Sequence, residues 1–434
     1  MKNTLTFLIA MIWCTQAFCQ TNNMEKTWGK HYKIHSTSLK DTVGIQVYLP
    51  KNYHKSKKSY ATLYLLDGQW FFPHGVSAQI GYTQRWRESD TPEFIVVGIT
   101  TNDDKRWGWS DYRANEFSNF LEKELITFVE RTFRANQERM LFGWEATGGF
   151  VIRTLTYKPD LFDAYFASSP TPIYSLYFPM YKKKFNDFSQ RLSQANSLKN
   201  KFLYIGAAEN DYPAHYGINN LVKLLNKKVP KDFRWVYRKM KETAHEMTAY
   251  QTIFQGIQFF YYNYRPLNFN SIAEFEKLGG IPYIKTYYDK RAQRFGFNDA
   301  KELEKAWQAT MRNITLIAVG DNNYAAFDQL YEKFKSKKLL ENSYMPHAIA
   351  YTRFYLMHNQ PQKAMKINEF LLKKFAKRAA PYHMAGKIYE KLNQSDKALR
   401  YYKQAVEIAQ KSDRFRLSQY KESLRDFLDT QKKN

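Results

Sequence analysis

The sequence predicts an α/β protein, a doubly wound parallel sheet followed by an all-α helical-repeat region. Two observations predict it. As far as about Tyr264, short apolar runs ended by turn residues alternate with helical patterns. Such alternation buries parallel strands between layers of helices. Beyond about Asn268 the strands stop, and part of the helical tail recurs at an offset of 34 residues.

Residues 32–36 and 45–50 alternate apolar and polar side chains, the period of half-buried strands. Residues 60–66 form a continuous apolar run ending in Asp67-Gly68, and residues 93–99 form another. Residues 117–133 place Phe117, Phe120, Leu121, Leu125 and Ile126 at helical spacing. Strands are expected at 140–143, 164–168 and 202–206, with a helix over 149–156. The sheet domain is expected over residues 30–265. A helical linker or degenerate repeats are expected over 266–344, and repeats over 345–430.

The repeat is legible residue by residue. Residues 359–365 (NQPQKAM) recur as 393–399 (NQSDKAL). The second copy places Tyr382, Gly386, Tyr389, Ala398, Tyr402 and Ala405 in the order of a tetratricopeptide repeat. Small residues at 386, 398 and 405 let two antiparallel helices approach while the aromatics fill between them. The first copy has Thr352 in the glycine position and keeps Tyr355 and Ala364. The stretch therefore resembles at least two such repeats, the plainer alternative being a generic bundle of helical hairpins.

The 434 residues carry 66 Lys+Arg against 41 Asp+Glu, a net charge of +25. Residues 271–434 hold 31 basic and 18 acidic residues, so the excess is spread rather than gathered into an arm. No nucleic-acid motif accompanies it, and a lysine-rich solvated surface accounts for it. Both cysteines, Cys14 and Cys19, lie at the N-terminus behind Lys2 and an apolar stretch over 5–13. That is the pattern of a signal peptide over residues 1–19, with Ala17 and Cys19 as the small residues before cleavage at Gln20. Secretion or a periplasmic location is expected, with a mature chain free of cysteine. A lipid anchor on Cys19 is the alternative, disfavoured by the bulky Phe18 before it. No later stretch is long and apolar enough to span a membrane.

The chemistry gathers at residues 140–150. Strand Met140-Leu141-Phe142 runs into Gly143-Trp144-Glu145-Ala146-Thr147-Gly148-Gly149 and then a helix. This is the setting of a nucleophile elbow, whose signature is Gly-x-Ser-x-Gly. Here Glu145 stands at the centre and Thr147 where the last glycine is expected. Residues 32–263 resemble the putative-esterase family of α/β hydrolases, which includes feruloyl, acetyl-xylan and siderophore esterases. The matching stretches are residues 47–50, 61–68, 95–99, 119–126, 159–164 and 168–170. The distance from Glu145 to Pro159-Asp160-Leu161-Phe162 matches the family's distance from its serine, which puts Glu145 in the nucleophile position.

The resemblance implies the other roles. His245, in a loop before an amphipathic helix, fits the catalytic histidine. Glu209, three residues after Gly206, fits the acid, with Asp211 the second choice. The oxyanion donors would be the backbone N–H groups of Ala146 and Gln69. Ser168 and Ser169 fall in a turn and are poor nucleophile candidates. Trp70, Trp107 and Trp144 are candidate ligand-binding surfaces at strand ends, with core packing the plainer account of the aromatics there, Phe71, Phe72 and Trp109 included. Arg106 matches an arginine of the family, though its charge alone makes it a surface residue. His74, His215, His245 and Glu246 lack metal-ligand spacing, so no metal and no other cofactor is expected.

A carboxylate cannot replace the serine in ordinary ester hydrolysis. It has no hydroxyl proton for the histidine to take, and its attack on an ester would give an anhydride. Its charge also competes for the oxyanion donors. Three readings follow: an esterase-like protein that binds a carboxylic ester or carbohydrate without hydrolysing it; a hydrolase with altered Glu145/His245 chemistry; or a scaffold that binds a protein partner through its repeats.

Overall fold

The computed structural model describes residues 28–83, 89–101, 103–171, 186–187, 189–191, 198–211, 214–228, 232–295, 300–335 and 338–433. The expected leader, residues 1–19, lies outside the described residues. The chain divides into two compact units, one ending at Tyr262 and one beginning at Asn263.

The first unit runs β1 (Lys30–Ser36), β2 (Asp41–Tyr48), β3 (Tyr60–Leu65), α1 (Gly68–Thr83), β4 (Phe94–Ile99) and α2 (Asp103–Ser110). Next, α3 (Ala114–Asn119) continues through a π-helical turn (Phe120–Leu125) into α4 (Ile126–Thr132). Then come β5 (Ala135–Trp144), α5 (Ala146–Tyr157), β6 (Ala164–Ser168), β7 (Phe202–Ala208), α6 (Ala214–Lys228), β8 (Arg234–Met240) and α7 (Met247–Phe260). The described strands form one sheet in the order β1-β2-β4-β3-β5-β6-β7-β8. The pairs β1–β2 and β2–β4 are antiparallel and the rest parallel.

The sequence pattern explains this layout. Every residue of β3, β4, β6 and β7 is buried, as strands covered by helices on both faces require. The sequence reading missed β8, because Arg234, Arg238 and Lys239 interrupt its apolar pattern. As an edge strand it tolerates those charges, which also discourage a further strand from pairing there. From β3 the chain moves to β4 on one side and then crosses to β5 on the other. The carboxyl ends of β3 and β5 therefore diverge, and ligand sites in open α/β sheets lie at such a switch point.

The second unit holds α8 (Ile272–Lys277), α9 (Gly280–Phe295), α10 (Ala300–Gly320), α11 (Tyr324–Lys335), α12 (Met345–Met357), α13 (Pro361–Lys374), α14 (Ala379–Lys391), α15 (Ser395–Ser412) and α16 (Leu417–Lys433). Helices α12 and α14 start at 345 and 379, and α13 and α15 at 361 and 395, so both pairs keep the 34-residue offset. Gly386 is required where α14 meets α15: a Cβ there would lie 2.7 Å from the Tyr402 ring. The stretch 266–344 is more than a linker. Phe275, Ile284, Met311 and Phe327 join Tyr351 and Ile367 of the first repeat in one apolar core.

Candidate functional site

The elbow is built by its backbone. Glu145 follows the last residue of β5 and precedes the first of α5, with φ 55° and ψ −115°, a strained conformation for a residue with a side chain. Three hydrogen bonds hold it. Glu145 N–H donates to the Ser168 carbonyl at 2.9 Å, and the Glu145 carbonyl accepts from Gly149 N–H at 2.9 Å and Thr171 N–H at 3.0 Å. Gly143 is needed because a Cβ there would come within 2.4 Å of the Thr147 carbonyl oxygen. The elbow thus has the backbone of a nucleophile turn and presents a carboxylate.

Four charged groups surround that carboxylate or support its partners. Arg106 Nη1 donates to Glu145 Oε2 at 2.8 Å, Nε to Asp67 Oδ2 at 3.1 Å, and Nη2 to the Trp144 carbonyl at 2.7 Å. His245 Nε2 lies 3.8 Å from Glu145 Oε1, and its Nδ1 lies 2.9 Å from Asp211 Oδ1. Asp67 is fully buried at the end of β3, where it accepts hydrogen bonds from the hydroxyls of Thr101 and Thr147. Thr147 Oγ also accepts from Trp144 N–H at 2.9 Å. The residue in the place of the family's last glycine therefore ties the elbow to Asp67.

This arrangement sets the charge states. His245, and after it Arg106, hold the Glu145 carboxyl down to about 2, more than offsetting its partial burial. Asp211, and after it Glu145, push the His245 imidazole up to about 10. Burial works against the Asp211 charge, but His245 outweighs it and keeps that carboxyl below its ordinary value. Burial raises the Asp67 pKa, opposed by Arg106 and the two threonine hydroxyls. At neutral pH Glu145 and His245 are a charged pair. The upward shift favours the protonated imidazole, which opposes its use as a general base.

A pH dependence follows. The His245 pKa lies above its ordinary value of 6.5, so its contribution to stability is complete below about 6.5 and is lost as pH rises through about 10. The Glu145 pKa lies below 4.5, so its contribution is complete above that value and is lost as pH falls through about 2. Thermal melts are expected to show Tm falling between pH 6.5 and 10, and less steeply in Glu145→Gln, where His245 keeps only Asp211. Parallel curves for the two proteins would show that Glu145 does not hold the proton on His245.

Two expectations need correction. The acid beside His245 is Asp211, the second choice. The Glu209 carboxylate instead faces Lys239 at 3.9 Å. Arg106 is no surface residue: its side chain is 6% exposed and stacks over Trp144 at 5.1 Å and Trp70 at 5.5 Å. Phe71, Phe72 and Trp109 are core residues, Trp109 stacking on Phe117 at 5.1 Å. Trp70 and Trp107 are 41% and 50% exposed, and Trp144 is half-buried with its ring 5.0 Å from that of His245.

Ala146 opens α5 at the elbow. Gln69 lies in the first turn of α1, its side chain exchanging hydrogen bonds with the backbone of Thr101. A cleft of about 450 Å³ opens at the elbow, with Glu145, His245, Asp211 and Asn210 in its wall. Among the described residues no three His, Cys, Asp or Glu side chains are placed to hold a metal ion. His74 instead contacts the Trp70 carbonyl, and His215 that of Glu209. Among those residues, no helix is long and apolar enough to cross a membrane.

Sheet order, elbow and histidine loop together define the α/β-hydrolase class. The chain belongs to the family described as "Putative esterase", which it matches over residues 36–259. Residues 379–412 match the tetratricopeptide repeat. Over 113 residues the chain is 29% identical to the ferri-bacillibactin esterase BesA of Bacillus subtilis (strain 168), a match covering 26% of this chain and 38% of that protein. The chain thus spans well under half the length of that curated relative.

Two solved structures share the fold. An IroE-like serine hydrolase from Shewanella oneidensis is 22% identical with a TM-score of 0.50, over 70% of this chain and 98% of that one. An uncharacterised protein from Capnocytophaga ochracea DSM 7271 is 16% identical with a TM-score of 0.51, over 92% and 99%.

Proposed function

We propose that this is an exported member of the esterase family that holds a carboxylic-ester ligand in the cleft at the elbow without hydrolysing it. The observation that carries the reading is the Glu145 carboxylate, fixed by Arg106 at 2.8 Å and facing His245 at 3.8 Å. A serine hydrolase needs a proton on its nucleophile and a free base beside it. Here the elbow group has no proton to give and the imidazole already carries one. The ester class is supported by family membership and by the name of the Bacillus relative, a ferri-bacillibactin esterase. Retention of an open cleft and of the His245–Asp211 pair favours ligand binding over a purely structural domain. Altered Glu145/His245 hydrolysis is disfavoured, because a carboxylate with a pKa of about 2 is a poor base.

The test is hydrolysis and binding measured together. Wild type is expected to show no turnover of aryl acetate or methyl ferulate above buffer, while methyl ferulate quenches tryptophan fluorescence saturably. Turnover by wild type that disappears in Glu145→Gln would make Glu145 a catalytic group and end this reading. A second reading, partner binding by the C-terminal unit, is supported by the tetratricopeptide match. It expects the full-length protein to co-elute with a stoichiometric partner from its source; a bare monomer throughout purification counts against it.

A further inference from the structure

We propose that one end of the C-terminal helical unit docks on an anionic lipid surface, with Phe415 entering the bilayer interface between Arg414 and Arg416. The surface lies wholly within the second unit and does not depend on the reading of the elbow.

The antiparallel helices bring three turns to that end: α11–α12, α13–α14 and α15–α16. Hydrogen bonds tie the three together. Lys374 Nζ, at the end of α13, donates to the Glu341 carbonyl of the α11–α12 turn at 2.6 Å. Ser412 Oγ, at the end of α15, donates to the Lys377 carbonyl of the α13–α14 turn at 3.4 Å. Cations gather on all three turns. The α13–α14 turn and its approach carry Lys373, Lys374, Lys377 and Arg378, each of them exposed. The α15–α16 turn adds exposed Lys411, Arg414 and Arg416, and the α11–α12 turn adds exposed Lys338. The acidic groups among them are fewer. Glu407 pairs with Lys411 at 3.1 Å, Asp413 lies near Tyr420, and Glu341 completes the set. The two turns at the other end, residues 358–360 and 392–394, hold no Lys, Arg, Asp or Glu. Charge that is spread along the sequence is thus gathered by folding onto one end of the repeats. Such a cluster attracts an anionic surface.

Phe415 selects lipid among anionic partners. It is the middle residue of the 3-10 turn Arg414–Arg416 and is 94% exposed, more than any other large apolar side chain among the described residues. Within the folded chain the ring gains almost nothing from burial. At the boundary between headgroups and acyl chains it leaves water entirely. Arginine and lysine stems are long enough to keep their charges at the phosphates while the ring sits deeper. A soluble polyanion satisfies the same cations, but a base stacked on Phe415 would leave the other face of the ring in water.

The experiment is sedimentation of the full chain with vesicles in about 0.1 M salt, where exposed charges act over about 10 Å. One vesicle preparation is phosphatidylcholine alone and the other is phosphatidylcholine mixed with an equal part of phosphatidylglycerol. Wild type is expected to bind the anionic vesicles more tightly than the neutral ones and to be released at about 1 M salt. Lys377→Ser/Arg414→Ser should lose about twentyfold in affinity for the anionic vesicles, about fivefold for each cation. Phe415→Ser should lose about tenfold. Lys391→Ser/Lys397→Ser removes the same charge beside a turn at the other end and should change affinity little. All three variants are expected to melt with wild type, because the side chains replaced are exposed. Absence of binding by wild type to anionic vesicles overturns the inference. So does an equal loss in Lys391→Ser/Lys397→Ser, which would make the attraction a property of net charge. Unchanged vesicle affinity in Phe415→Ser, with oligothymidylate bound more tightly than lipid, would make the partner a soluble polyanion and the lipid assignment wrong.

Discussion

Replacing Glu145 with serine is expected to produce an esterase whose turnover disappears again in the Glu145→Ser/His245→Ala double variant. The elbow backbone and the His245–Asp211 pair at 2.9 Å are already in place. The substitution supplies the missing hydroxyl proton. It also removes one of the two carboxylates that keep His245 protonated, so the imidazole pKa falls and the ring becomes available as a base. The activity should rise with pH along a limb set by His245, and that limb should lie below the pH at which the wild-type imidazole titrates. Loss of the nucleophile costs triad hydrolases about 10⁶ in kcat, and regaining even a small part of that gives at least about 10² over wild type. Recovery will be partial, because Arg106 keeps its place beside the serine and its charge was matched to a carboxylate. Initial rates on p-nitrophenyl acetate against pH provide the check. A folded Glu145→Ser protein that stays silent would show that the N–H groups of Ala146 and Gln69 do not converge on an oxyanion.

Much of this molecule was legible because its signals are periodic. The buried strands announce themselves as unbroken apolar runs, and the paired helices at 345–412 as a 34-residue echo with small residues where helices touch. Glu145 was legible by position, since strand, turn and helix around it fix the elbow whatever residue it carries. The charged partners at the site escape a local reading for one reason: groups that pair across a long stretch of sequence leave no local pattern. Arg106 sits in the local sequence Lys105-Arg106-Trp107, which reads as surface. Its burial depends on Asp67, 39 residues earlier, and Glu145, 39 residues later. Asp67 itself looks like a turn residue closing a strand; only Arg106, Thr101 and Thr147 show that it is a buried anion. Glu209 and Asp211 both lie within reach of the histidine loop in sequence. The chain turns after β7 so that Asp211, accepted into the start of α6 through its bond with His215 N–H at 3.2 Å, points at His245. Strand β8 was missed for a different reason, its edge position permitting charges that a central strand excludes.

Arg106→Met is expected to be the most destabilising substitution at the site. The Arg106 side chain is 6% exposed and that of Asp67 is fully buried. Removing one partner of a buried ion pair leaves the other charge uncompensated, at a cost of about 3–5 kcal/mol. In a unit of this size, with Tm moving about 2–4 °C per kcal/mol, that is a loss of about 6–20 °C. Glu145 loses a donor in the same step and the elbow loses its tie to the Trp144 carbonyl, so ligand binding should weaken together with stability. Two features separate the charge effect from simple loss of packing. The double variant Arg106→Met/Asp67→Asn should be more stable than Arg106→Met alone, because the stranded carboxylate is gone. The deficit should also shrink in acid. Burial already raises the Asp67 pKa, and without Arg106 it rises further, so at pH 5 more of the folded protein carries a neutral Asp67 than at pH 8. Differential scanning calorimetry of the three proteins at both pH values makes the comparison. Equal Tm for the single and double variants at pH 8 would mean that Asp67 is satisfied without Arg106, leaving the guanidinium to serve the elbow carboxylate alone.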